Sequence, residues 1–531
     1  MKQPCYCLAM GGPRWLRHSL LISLVVAFLT QALYFSRTLV FSDDEQGYLV
    51  FGYLAARGTV SLFQDDVLGA RTPLPFYILG WSQLVVGRDL WTARLLSIVF
   101  AAGSLWLTIR IARMLGGPTS GLLAGLLLAT QGATVGYFTT AGYHAISAFI
   151  VLAVLHVFIG PPLPGRYLLA AAATGLLFLT RTHISPLIPL LLAVCIIRSP
   201  NWRTRLLAGA LGLATPAIFF LSDPTHLKLL AYAGPFQHLA ARWGYRSVFY
   251  FYDYSSPPLA EQLRSLLLFA RRYESLTLTA GGLAIASIWH SARTILLTTW
   301  HARPEIRFLM IVFAYGVACL LLIVAPYNLK VAVAYFPAYA PLAAILLGTG
   351  VTQLLLSPQT PAAARLIVVL TVCLASVVSV AYPHQPLLPT PPGRPFRDDA
   401  IVRLQNLANG LERILEPGSH VFLVGDSLPL YLANRLPYLR QVMHPTTLAG
   451  HSEDPLLVAR SGVWGRDQIE DWLSRDATYA VIVPRWLEAL RPNRTRNIAR
   501  IEELLALHFS LVAVLDDYFG LSYHVYRRIP R

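Results

Sequence analysis

Apolar and polar positions fall into long blocks along the chain. An apolar run from Leu20 to Val40, interrupted near its far end by Arg37, leads into Phe41-Ser-Asp-Asp-Glu-Gln-Gly-Tyr48. Further apolar runs follow as far as Ala381, separated by short polar segments rich in arginine. A spanning helix needs about 20 residues, so the blocks predict about eleven to thirteen membrane-spanning helices. The run from Leu74 to Gly87 is shorter and is expected to be re-entrant or interfacial. Before it, Tyr48, Leu49, Phe51, Gly52, Leu54 and Ala55 recur at roughly helical spacing, which predicts a short helix lying at the membrane surface.

After Ala381 the pattern changes. Residues 383–395 are too rich in proline for helix or sheet and read as a linker. From about Phe396 the chain predicts a helix over Asp399–Leu415, a strand at Val421–Val424, a turn at Gly425-Asp426 into a second helix, and a buried strand at Tyr479–Val483. That alternation predicts a small soluble α/β domain over 396–531, following a membrane domain over 1–382.

Composition agrees with the pattern. A chain of 531 residues that is 55% hydrophobic and 13% charged, with a mean hydropathy of +0.53, is too apolar for a soluble protein of this length. The net charge of +16 would point to nucleic acid in a soluble protein, but here the basic residues sit in loops between apolar runs, as cytoplasmic loops do. No nucleic-acid partner is expected. The five cysteines form no pattern for a disulfide framework or a zinc site.

Charge also sets an orientation. Lys2, Arg14 and Arg17 precede the first run, so its start is expected inside. If the Leu74–Gly87 run does not cross, Arg110, Arg113, Arg166, Arg198, Arg203, Arg205, Arg293, Arg303, Arg307 and Arg365 all fall on the same cytoplasmic side. The opposite face then receives a first loop over about 41–89, the Tyr137–His144 turn, Arg181–His183, the 222–274 loop and Pro326–Lys330.

Chemistry concentrates on that face. One carboxylate at the end of a membrane helix usually marks the water boundary, but Asp43, Asp44 and Glu45 come in succession, just before Tyr48 and a helix. The same face gathers His144, Arg181, His183, Arg242, Arg246, Arg271, Arg272 and Lys330. Carboxylates opposite basic groups suit a phosphate-bearing lipid and a hydroxyl that must lose its proton.

Asp44-Glu45-x-x-Tyr48, a first loop ending in Arg71-Thr72-Pro73-Leu74-Pro75, and Gly87 and Arg94 opening the next helix resemble the GT-C membrane glycosyltransferases. The best-known members with this arrangement are the lipid A aminoarabinose transferase and the protein O-mannosyltransferases. The resemblance implies transfer of a sugar, with inversion, from a polyprenyl-phosphate carrier to an envelope acceptor (lipid, glycan or protein), among membrane lipids. It implies a bacterial inner membrane, with the C-terminal domain periplasmic or extracellular. It also implies that Asp44 is the base, that Glu45 is the motif's second acid, and that Lys330, which precedes Tyr335 and Pro337, stabilises the departing phosphate. Arg271 and Arg272 are further phosphate-binding candidates, while Asp43, Tyr48 and His144 would line the site. Where many relatives carry a His, Glu or Lys before the first-loop proline, this chain has Arg71 and Thr72. Arg71 suits phosphate but cannot ligate a metal, so a divalent metal stays an open expectation. A surface-polysaccharide polymerase or ligase, or a lipid-linked sugar transporter, remains the alternative class.

Overall fold

The computed structural model describes residues 14–39, 43–63, 72–160, 165–181, 183–223, 225–226, 259–324, 335–381, 399–442, 448, 463–516 and 521–530. Its first part is a helical bundle. The helices are α1 (Arg14–Thr38), α2 (Asp43–Ala56), α3 (Pro73–Val86), α4 (Leu90–Gly116), α5 (Pro118–Ala129), α6 (Gly132–Thr139), α7 (Tyr143–Ile159) and α8 (Arg166–Leu177). They continue as α9 (Leu187–Arg198), α10 (Trp202–Ser222), α11 (Leu259–Arg272), α12 (Glu274–Ala286), α13 (His290–Ala302), α14 (Pro304–Val324), α15 (Ala340–Leu356) and α16 (Ala362–Ala381).

Local chemistry sets several boundaries. Pro73 and Pro118 open α3 and α5, positions where a missing N–H costs nothing. Asp89 caps α4 by accepting from the Thr92 N–H at 2.8 Å, and Asn201 and Thr204 form a reciprocal capping box on α10. Among the described residues, α1, α4, α10 and α14 contain single helices long and apolar enough to cross a membrane. The bent pair α5 and α6, at 71°, makes a fifth candidate. The other apolar helices are shorter, α3, α7, α8, α9 and α15 among them. A turn at Thr130-Gln131 bends the apolar block that precedes the Tyr137–His144 turn.

Two sequence expectations about the first loop change. The acids do not lie in a loop; Asp43 to Glu45 form the first turn of α2. Nor does α2 lie open on a surface, because Tyr48, Leu49, Val50 and Phe51 are all buried. Four consecutive buried positions leave no polar face for a membrane surface, and a helix apolar all round belongs in a core. Gly52 and Gly80 let α2 and α3 approach closely: a Cβ on Gly52 would overlap the Phe76 carbonyl, and one on Gly80 would overlap the Gly52 carbonyl.

The linker lies outside the described residues. Beyond it stand α17 (Ala400–Ile414), β1 (Val421–Val424), α18 (Leu428–Leu432), α19 (Arg466–Asp471), β2 (Tyr479–Ile482), α20 (Pro484–His508), β3 (Phe509–Asp516) and β4 (Ser522–Arg528). The sheet order is β1-β2-β4-β3. β1 and β2 run parallel, with Val421 beside Tyr479, while β4 pairs antiparallel with both β2 and β3. The α17, β1 and β2 expectations match within a residue or two, and the β3–β4 hairpin is additional. One apolar cluster joins Tyr48, Phe51, Phe76 and Leu79 of the bundle to Leu404, Leu430, Tyr431 and Val481 of this α/β part.

Candidate active site

Glu45 is anchored from two directions. The Arg94 guanidinium donates to it through Nε at 2.9 Å and Nη2 at 2.8 Å, and the Ala141 N–H donates to the same carboxylate at 2.6 Å. Arg94 also donates to the Ser36 and Leu39 carbonyls at the end of α1, where unpaired carbonyls and the helix dipole favour a cation. Both side chains of the ion pair are about fully buried, at 0% and 1% exposure. A paired, multiply bonded charge is the form in which a carboxylate tolerates burial. The pair fixes the start of α2 against α1, α4 and the turn before α7.

Asp44 differs: it is half-buried. Its charge acts electrostatically on Tyr137, Tyr143, His144 and Arg181. It sits in the first turn of α2.

Arg181 organises the opposite wall. It donates to the Tyr48 hydroxyl at 2.7 Å and the Tyr335 hydroxyl at 3.3 Å, and its guanidinium lies 4.1 Å from the Tyr143 ring centroid. The segment that carries it is tied to α3: Thr72 donates to the Thr180 carbonyl at 2.7 Å, and the Leu74 N–H donates to the Leu179 carbonyl at 3.0 Å. His183 stacks on Tyr335 with ring centroids 4.6 Å apart, and its carbonyl accepts from the Tyr339 hydroxyl at 3.1 Å. Burial and the nearby Arg181 hold His183 well below the usual imidazole range, so this ring is neutral near pH 7 and does not add to the Arg181 charge. His144 packs between Tyr143 and Tyr137, at 4.0 and 4.5 Å. The Tyr137 and Tyr143 hydroxyls, His144 Nδ1 and both His183 ring nitrogens are buried without a hydrogen-bond partner in the structure. Buried polar groups are usually paired, so these atoms leave donors and acceptors available to water or a polar ligand.

Residues 70–222 match the family described as dolichyl-phosphate-mannose-protein mannosyltransferase. The crystal structure of ArnT from Cupriavidus metallidurans bound to undecaprenyl phosphate is similar at 15% identity and a TM-score of 0.55, over 96% of this chain and 98% of that one. The chain shares the fold of these membrane glycosyltransferases of the GT-C class, and its residues 70–222 carry the family match. The Archaeoglobus fulgidus oligosaccharyltransferase in complex with Zn and sulfate is also similar, at 12% identity and a TM-score of 0.52, over 94% of this chain and 72% of that one. Comparison with curated proteins by sequence gives no match.

In this chain the sequence-selected residues separate into groups. Asp44, Glu45, Tyr48 and His144 come together. Glu45 is not open to a substrate; it holds the helix that carries Asp44. Asp43 opens α2. Arg71 and Lys330 lie outside the described residues. Arg272, at the end of α11, acts electrostatically on Tyr137 and gives its carbonyl to Gln131 at 2.5 Å, whereas Arg271 is exposed. Arg181 and His183 were legible only as members of a basic face, yet Arg181 contacts Tyr48, Tyr143 and Tyr335. Among the described residues, no three His, Cys, Asp or Glu side chains gather as a metal site.

Proposed function

We propose that this glycosyltransferase moves a monosaccharide from a polyprenyl-phosphate carrier to an envelope acceptor on the outer face of a bacterial inner membrane, with the α/β domain on that same face. The observation that carries the proposal is the half-buried Asp44, whose charge acts on a buried guanidinium fixed by two tyrosine hydroxyls. ArnT bound to undecaprenyl phosphate and the archaeal oligosaccharyltransferase in complex with an inhibitory peptide and a dolichol-phosphate lend the carrier and the acceptor role their support.

In the reaction, Asp44 accepts the proton of the acceptor's hydroxyl or amide. The acceptor heteroatom bonds to the anomeric carbon, and the bond from that carbon to the phosphate oxygen breaks on the opposite side, inverting the centre. Negative charge grows on the leaving phosphate. Arg181 is already held in position to meet it, and a fixed counter-charge rewards the transition state more than the ground state. By resemblance, Arg71 and Lys330 would share that task. Tyr143, Tyr335 and His183 supply ring faces and donors suited to a sugar.

The test is made in cells. A strain lacking the chain is complemented with wild type or Asp44→Asn at equal protein level, and its envelope lipids, glycans and proteins are compared by mass. The same hexose- or pentose-sized increment should disappear in the deletion and in Asp44→Asn, and return with wild type. Identical envelopes in all three strains would sink the proposal.

A further inference from the structure

The α/β domain reaches the catalytic helix itself. Gln46, the residue after Glu45, is fully buried, and its side-chain oxygen accepts from the Ser427 N–H at 2.8 Å. The Ser427 hydroxyl lies 3.1 Å from the same oxygen and also reaches the Val442 carbonyl. Ser427 is the residue just before α18, so β1, the turn after it and α18 bear directly on the first turn of α2.

A second contact, built from different residues, meets the far end of the same helix. Arg88 sits in the α3–α4 turn, which Gln83 staples by pairing with the Asp89 N–H at 2.9 Å and the Asp89 carbonyl at 3.1 Å. From there Arg88 donates to the Tyr53 hydroxyl of α2 at 3.2 Å and to Asn434 Oδ1 of the α/β domain at 2.5 Å. Its guanidinium lies 4.5 Å from the Tyr53 ring and 5.2 Å from the Tyr431 ring, and the two rings meet edge to face at 5.7 Å. Asn434 is the one non-glycine residue in the left-handed region among the described residues, at φ 56°. Asparagine is among the few side chains that adopt it readily, and here that conformation accompanies an acceptor for Arg88.

We infer that the α/β domain is a positioning element of the active site, latching α2 at both ends through Gln46–Ser427 and Tyr53–Arg88–Asn434. The inference rests on the assignment of Asp44 as the base. Within α2, Glu45 turns to Arg94, Gln46 to the α/β domain and Tyr48 to Arg181, so the Asp44 backbone is fixed by its neighbours on different sides. A displacement of about 1 Å at a reacting group can cost on the order of a hundredfold in rate, so such a latch acts on turnover rather than on ligand affinity.

The full-length chain in lipid nanodiscs tests this with Gln46→Met, Gln46→Glu and Asn434→Gly. Asn434→Gly keeps the left-handed backbone and removes only the acceptor for Arg88. Hydrogen exchange is followed along α2, α4 and α15. Transfer is followed by adding each variant to membranes of a strain lacking the chain, which contain donor and acceptor, and titrating the membranes. Gln46→Met combined with Asn434→Gly should raise α2 exchange about tenfold, with α4 and α15 unchanged. The maximal transfer rate should fall about tenfold or more, and the half-saturating membrane concentration should stay within about twofold. Gln46→Glu, which retains an acceptor for the Ser427 N–H, should recover most of the rate. An unchanged maximal rate overturns the latch whether or not exchange rises. If Asp44→Asn keeps full activity while the latch variants still loosen α2 and slow transfer, the base assignment falls and the latch stands.

Discussion

Arg94 in the bundle and Arg491 in the α/β domain each bond carboxylates through more than one nitrogen, but in opposite settings. Arg94 is sealed at 0% exposure and joins Glu45 to backbone carbonyls of α1. Arg491 is about a third exposed, at 33%, and bridges Glu488 and Glu502 on the surface of α20. A buried pair need not stabilise a fold relative to apolar side chains, but removing one partner strands a charge in a low-dielectric interior. A surface pair loses little, because water and salt replace the partner. Charge in the bundle therefore ties α1, α2 and α4 together, and charge on α20 chiefly keeps a helix face in water.

The largest effect that sharpens this contrast is expected from Arg94→Ala. It removes the buried counter-charge of Glu45, which keeps the Ala141 N–H, and should cost about 3–5 kcal/mol of stability, read as a lower melting temperature and poor recovery from the membrane. A melting temperature equal to wild type would mean that water reaches the pair and that the contrast fails. Next comes Gly80→Ala, which drives a methyl group into the Gly52 carbonyl. Overpacking of this kind costs about 1–3 kcal/mol, and transfer activity should fall with it because α2 must shift.

A smaller effect concerns Asp476, whose carboxylate accepts from the Tyr438 hydroxyl at 2.7 Å and pairs with His420 at 2.6 Å. Its partial burial alone would raise its pKa, but these hydrogen bonds bring it below the usual carboxylate value. A depressed folded-state value adds stability above the unfolded pKa of about 3.9, lost as pH falls through the lowered value. Because Asp476 is 42% exposed, the contribution should stay below about 1 kcal/mol. Asp476→Asn should lower neutral melting of the α/β domain slightly and flatten its pH dependence below about pH 4. Arg491→Ala should have the smallest effect, no measurable change in melting; a clear drop would erase the distinction between the two regions.

The bundle was legible because apolar blocks of near-spanning length leave few soluble alternatives. The acidic stretch before Tyr48 was legible because three adjacent carboxylates have no place in such a block. Which acid is open was not legible. Arg94 lies 49 residues from Glu45, and Ser427 lies 381 from Gln46, so no local pattern links them. The burial of α2 did have a signal, since Leu49-Val-Phe51 leaves no polar stripe at helical period. The β3–β4 hairpin also had one: Tyr523 and Val525, two apart on β4, are both buried, a period-two signal.

Asp44 and Glu45 are adjacent in sequence and opposite in role, and that difference is the centre of the account. Its most direct test is the maximal transfer rate of folded Asp44→Asn measured in membranes of a strain lacking the chain. The account predicts wild-type melting and a rate lower by about 10²–10⁴-fold, the contribution typical of a positioned base. A folded Asp44→Asn variant that transfers at the wild-type rate would contradict it.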